Sequence, residues 1–198
     1  MDTSSGWDKI RTSDTNPILV KWLQGIEDLL LPGKGKIGLT IAPGKKGDSF
    51  YGAPWDRDLE KDLDRIREEF HISVLICLTE DREMERYKIP NLLSEAEHRG
   101  IQTIHEPVMD LEPPTLEQAK RVTEQALEVA RAGKNVVIHC LGGRGRSGVI
   151  GACCYMALGF DPVQALAMVR ASREGAVESR SQEAFLHRFH SSMVFSFR

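Results

Sequence analysis

Lys134-Asn135-Val136-Val137-Ile138-His139-Cys140-Leu141-Gly142-Gly143-Arg144-Gly145-Arg146-Ser147-Gly148 is the stretch on which the reading of this chain turns. Its first six residues hold a β-branched apolar run, expected of a strand buried on both faces. Ser147 to Leu158 is apolar all round, as in a helix enclosed by the core. Between them, four glycines at 142, 143, 145 and 148 allow a tight turn that aims successive backbone N–H groups at one point. The positive end of the following helix adds to that field, so strand, loop and helix together make an anion cradle.

Outward from this unit, the chain alternates strands and helices. On the N-terminal side, His71 to Leu78 reads as a central strand, and Leu59, Leu63, Ile66 and Phe70 mark a surface helix before it. Helices are also expected near 82–87 and 90–98, with a short strand at 101–106. Thr115 and Gln118 have capping-box spacing for a helix that runs to Gly133. Downstream, Asp161 and Pro162 open one helix and 181–189 forms the last. Ile18 to Leu23 and Lys36 to Ile41 read as short strands, and Ala42 to Gly47 as a flexible loop. This alternation predicts an α/β fold: a single-domain three-layer sandwich with a central, mostly parallel sheet and helices on both faces. Residues 1–16 are expected to form a flexible N-terminal tail, and 17–198 a single folded domain.

The 198 residues, 41% of them hydrophobic, suit one core, and a net charge of -3 argues against wrapping nucleic acid. No signal-peptide order begins the chain and no apolar run spans a bilayer. A cytoplasmic or nuclear monomer is therefore the expectation. Cysteines at 77, 140, 153 and 154 show neither a disulfide framework nor metal-ligand spacing, so no metal or cofactor is expected.

Cys140 stands at the base of the cradle, where the N–H groups that favour an anion also favour its thiolate. Arg146, six residues on, can return its planar guanidinium over the site and match two phosphoryl oxygens. Leu141, Gly142, Gly143, Arg144, Gly145 and Arg146 form the phosphate-binding ring. Ser147 can hydrogen-bond the sulfur, and His139 reads as an orienting group rather than the base. A thiolate nucleophile needs an acid for the leaving oxygen and a base for water. Asp110, before the stiff Leu111-Glu112-Pro113-Pro114 run, is the best candidate, with Glu106 and Glu112 as substitutes. Cys77 ends a strand expected beside that of Cys140, which makes it either a redox partner through a reversible disulfide or a packed core thiol.

The stretch HCLGGRGRSG fits the HCxxxxxR[ST]G signature of the tyrosine and dual-specificity phosphatases. Tyr87-Lys88-Ile89-Pro90-Asn91-Leu92-Leu93, Gly100 to Thr103, His105 to Asp110 and His139 to Gly143 narrow the likeness. They resemble the kinase-associated phosphatase, or cyclin-dependent kinase inhibitor 3, family over roughly residues 55–190. The resemblance implies the phosphatase fold, Cys140 as nucleophile, Asp110 as general acid and base, Arg146 as phosphate clamp and Gln182 as a candidate for placing water. It also implies a phosphoprotein substrate carrying phosphothreonine on a cyclin-dependent kinase. Leu141 and Gly148 depart from the tyrosine and cysteine of animal members, as does the Lys34 to Trp55 region.

The same residues admit rival readings. Gly143 to Gly148 matches GxGxxG, but Asp161 starts a helix where a dinucleotide fold needs a second strand. Arg144 beside the pocket suits a phosphoinositide phosphatase, although lysine is expected where Leu141 stands. A binding module that recognises phosphoproteins without turnover would lack the nucleophile, the acid or the arginine, and all three are present.

Overall fold

The computed structural model describes residues 10–30, 35–49 and 52–194. The chain opens with β1 (Arg11–Thr12), β2 (Lys21–Trp22), α1 (Ile26–Leu30), β3 (Ile37–Thr40), β4 (Lys46–Gly47) and β5 (Trp55–Asp56). It continues with α2 (Leu59–Glu68), β6 (Ile72–Cys77), α3 (Asp81–Arg86), α4 (Leu92–His98) and β7 (Gln102–His105). Then come α5 (Leu116–Arg131), β8 (Asn135–His139), α6 (Gly145–Ala157), α7 (Pro162–Ser172) and α8 (Arg180–Val194).

Five strands form the main sheet in the order β2-β3-β8-β6-β7, parallel except where β2 meets β3. The two hydrophobic clusters lie on opposite faces of that sheet. Val136, Ile138 and Cys140 join the larger one with α5 and α6, while Val137, Leu75 and Cys77 join the other with α2 and α4. The expected three-layer α/β sandwich is therefore the observed fold. Each aliphatic side chain buried in these layers contributes roughly 1.5–3 kcal/mol. No helix among the described residues is long and apolar enough to cross a membrane.

Caps explain several helix starts. The Asp58 side chain accepts from Lys61 N, Thr115 from Gln118 N, and Asp161 from Val163 N and Gln164 N, with Pro162 at the first turn. The expected capping box at Thr115 is only half made. Gln118 Nε2 instead donates to Pro107 O at 2.9 Å, tying α5 to the loop that carries Asp110.

The N-terminal region corrects the sequence reading twice. Residues 1–9 of the expected tail lie outside the described residues, but residues 10–16 are held in place. Strand β1 pairs in parallel with β5, Arg11 N donates to Pro54 O at 2.9 Å, and Arg57 Nη1 donates to Asn16 O at 2.7 Å. A two-residue strand leaves no periodic signal, so the anchor was invisible. The Ala42–Lys45 stretch, read as a flexible loop, is buried. Gly44, at φ 71°, presents its N–H to Asp62 Oδ2 at 2.9 Å, and the buried Arg57 closes a two-pronged ion pair on the same carboxylate. Helix α1 leaves no signal in the sequence, because five residues are too few to show a period.

Candidate active site

The loop after β8 is held from outside by its carbonyls. Leu141 O accepts from Lys45 Nζ at 3.0 Å and Ala42 N at 3.3 Å; Gly142 O and Gly143 O accept from Arg173 at 3.2 and 3.0 Å. Carbonyl and amide point opposite ways across a planar peptide, so the N–H groups of 142, 143 and 144 turn inward. Gly143 is required for this curl. Its φ is +65°, and a Cβ there would stand 2.3 Å from Thr40 O of the neighbouring strand.

Cys140 lies at the floor, 2% exposed, its Sγ 3.4 Å from Ser147 Oγ. Burial alone would push the thiol up. The Arg146 charge, the Ser147 hydroxyl, and backbone N–H groups of Ser147 and Arg144 outweigh it and bring the thiol below its ordinary value. His139 is wholly buried, and desolvation lowers its imidazole to about 4, so it is neutral. Its Nδ1 lies 3.4 Å from Cys140 O. Cys153 and Cys154 lie in the core of α6 and burial pushes both thiols up.

Arg146 is 1% exposed. Its Nη1 and Nη2 donate to the two oxygens of Glu83 at 2.6 and 2.8 Å, and Nη1 also donates to Val108 O at 2.9 Å. Asp110 Oδ1 sits 2.9 Å from Nη2, whereas Arg146 Nε is buried with no protein partner. A clamped guanidinium thus presents one unused donor, the kind of group an incoming anion satisfies.

Of the three acids considered, Asp110 alone lines the cleft. Glu106 is locked by Arg121 at 2.6 and 2.8 Å, which lowers its carboxyl, and Glu112 is exposed. Gln182 is buried beside Gly145. Its Oε1 accepts from Glu178 N at 2.9 Å and its Nε2 donates to Glu112 O at 3.4 Å, so its amide braces two loops. Leu111 and Val177 both take the left-handed conformation, at φ 63° and 62°, on those loops.

Cys77 is not brought to Cys140. It pairs across the sheet with His139, points into the opposite cluster, and hydrogen-bonds Thr79 Oγ1 at 3.0 Å. All four cysteines are free thiols. Sequence reasoning missed Glu83, Lys45 and Arg173. Glu83 looked like one more surface charge on a helix, and only its place in the Glu80 capping box hinted that it was fixed.

These groups open on a cleft of about 630 Å³ lined by Lys45, Trp55, Asp110, Leu141 and Arg144, among others. The α/β sandwich with this thiol, loop and guanidinium defines a cysteine-dependent phosphatase of the tyrosine and dual-specificity class. Within that class the chain belongs to the cyclin-dependent kinase inhibitor 3 (CDKN3) family, whose model matches residues 3–166. It is 29% identical to cyclin-dependent kinase inhibitor 3 of Rattus norvegicus over 161 residues, covering 80% of this chain and 73% of that one. The Homo sapiens protein is 28% identical over the same length and coverage. Among solved structures it resembles kinase associated phosphatase with its catalytic-site cysteine changed to serine, at 27% identity and TM-score 0.78 over 90% of this chain and 97% of that one. It also resembles Tk-PTP in the active form, at 30% identity and TM-score 0.65 over 81% and 98%.

Proposed function

We propose that the chain hydrolyses phosphothreonine, phosphoserine and phosphotyrosine in proteins by two steps at Cys140, and that a cyclin-dependent kinase is its substrate. The observation that carries this reading is the buried Cys140 whose anionic form is favoured by Arg146, Ser147 and the loop amides. The thiolate attacks phosphorus while the bond to the leaving oxygen breaks, and Asp110 gives that oxygen its proton. Water then attacks the phosphocysteine, Asp110 takes its proton, and the thiolate departs with inorganic phosphate formed. Inward N–H groups and Arg146 stabilise the equatorial oxygens in both steps.

The ion pair between Asp110 and Arg146 Nη2 has a role in this scheme. An incoming phosphoryl group competes for the guanidinium and releases Asp110 to turn toward the leaving oxygen. The relatives' name supports the kinase partner, and a buried, neutral His139 supports Asp110 over the histidine as the proton carrier. The test compares Asp110→Asn with the parent on phosphothreonine peptide and p-nitrophenyl phosphate. The variant should lose at least about a hundredfold on the peptide and far less on the activated ester, the scale of general acid catalysis. Equal losses on both reject Asp110 as the acid.

A further inference from the structure

Beside the phosphate loop, the cleft wall carries two cations that no carboxylate pairs with directly among the described residues. Arg11, brought in by β1, lays its guanidinium 3.6 Å over the Trp55 ring, and Lys45 holds its ammonium 4.6 Å from the same ring. Lys45 is 6% exposed. Arg57, also near this ring, is spoken for by Asp62. Arg11 spends Nε and Nη2 on Ala53 O, and Lys45 spends one of its three donors on Leu141 O. Among the described residues, neither makes an ion pair with a carboxylate. The acids of the cleft are Asp48, Asp110 and Glu178, and Asp110 is held by Arg146.

Two like charges held against one aromatic ring destabilise each other unless an anion balances them. Both side chains are lowered by desolvation; Arg11 also feels Arg57, while the Cys140 sulfur raises Lys45 in part and the guanidinium groups of Arg11, Arg57 and Arg173 lower it. The position of Lys45 sets the scale, since its ammonium bonds the carbonyl of the residue next to Cys140. An anion bridging Arg11 and Lys45 therefore lies within a residue or two of the phosphate held in the loop.

We infer that Arg11, Lys45 and Trp55 form a second anion subsite that takes a further phosphate on the same protein substrate, close in sequence to the one removed. A phosphate dianion, unlike a single carboxylate, neutralises both cations and has oxygens enough for the remaining donors of each. The inference rests on the phosphatase reading and adds a substrate class to it: segments phosphorylated at two neighbouring residues.

The experiment measures affinity without turnover. Full-length Cys140→Ser is titrated with a phosphothreonine peptide and with copies carrying a second phosphoserine at each position from two before to two after it. At one spacing the doubly phosphorylated peptide should bind about ten- to a hundredfold tighter, the range for one or two charge-assisted hydrogen bonds. Adding Arg11→Gln, or Lys45→Met separately, should collapse that ratio toward unity. The ratio is internal to each variant, so a weakened fold does not mimic the effect. Equal affinity at every spacing, or a preference that survives both substitutions, overturns the subsite. In either case hydrolysis of the singly phosphorylated peptide by the unaltered protein leaves the phosphatase reading standing. Tighter binding to vesicles containing a phosphatidylinositol bisphosphate than to any peptide also overturns it. If the unaltered protein hydrolyses no phosphate monoester, both readings fall together.

Discussion

Replacing Glu83 by Gln probes the part of the site that no motif reveals. Its carboxylate is the counter-charge of a guanidinium that is 1% exposed, and it accepts two of that group's hydrogen bonds at 2.6 and 2.8 Å. It also accepts from Glu80 N at 2.9 Å, closing the cap of α3. Gln has nearly the same shape but brings an NH₂ group against guanidinium N–H donors, so one bond is lost and the buried charge is left under-compensated. Breaking one partner of a buried pair costs about 3–5 kcal/mol. Val108 O and Asp110 still serve Arg146, which places the expected loss nearer 3 kcal/mol. For a domain of this size that is a fall of roughly 6–12 °C in Tm. The larger effect is on turnover, because a guanidinium free to swing no longer meets the transition state in register. By analogy with losing one oxyanion donor, kcat should drop about 10²–10³-fold. Thermal unfolding and p-nitrophenyl phosphate kinetics read the two effects separately. A variant within about threefold of the parent in kcat, with unchanged Tm, refutes the role given to Glu83.

Three further outcomes follow from the geometry. His139 is neutral when folded, with its imidazole lowered by burial to about 4, so the unfolded chain binds the extra proton between pH 6.5 and 4. Its stabilising contribution is present above pH 6.5 and is lost as pH falls through that window, by about 3 kcal/mol. Denaturant titrations across it should show that slope, reduced in His139→Gln. Gly143→Ala forces a Cβ to 2.3 Å from Thr40 O at φ +65°, so the loop must deform; loss of nearly all turnover is expected, with binding of vanadate weakened in parallel. Mild peroxide should oxidise Cys140 without a link to Cys77, because the two thiols face opposite clusters; peptide mass mapping checks this, and a Cys77–Cys140 disulfide would contradict the described placement.

The parts legible in the sequence were those written in contiguous residues. The strand into Cys140, its glycine loop and the all-apolar α6 form one unbroken segment, and Asp161-Pro162 announced α7 by local chemistry alone. That Asp110 lines the cleft was legible from its place before a proline loop. The groups that hold the loop were not. Arg173 and Lys45 reach its carbonyls from 30 and 96 residues away, and Arg146 meets Glu83 across 63. Such contacts leave no period or spacing, since each is one side chain crossing the fold. Cys77 shows the converse error. Adjacent strands suggested proximity, but pairing with His139 rather than Cys140 puts its sulfur on the other face, as the two-residue period of a strand requires.

The state of the sulfur at 140 decides the account most directly. The rate of iodoacetamide labelling at Cys140, followed by peptide mass from acid to alkaline pH, gives its ionisation. The other three cysteines are wholly buried, and site mapping separates them. Half-maximal reactivity should fall well below the free thiol range near 8.5, and saturating phosphate should protect the site. Labelling that rises only around that ordinary value, with no protection by phosphate, would contradict the claim that the loop holds a thiolate ready to attack phosphorus.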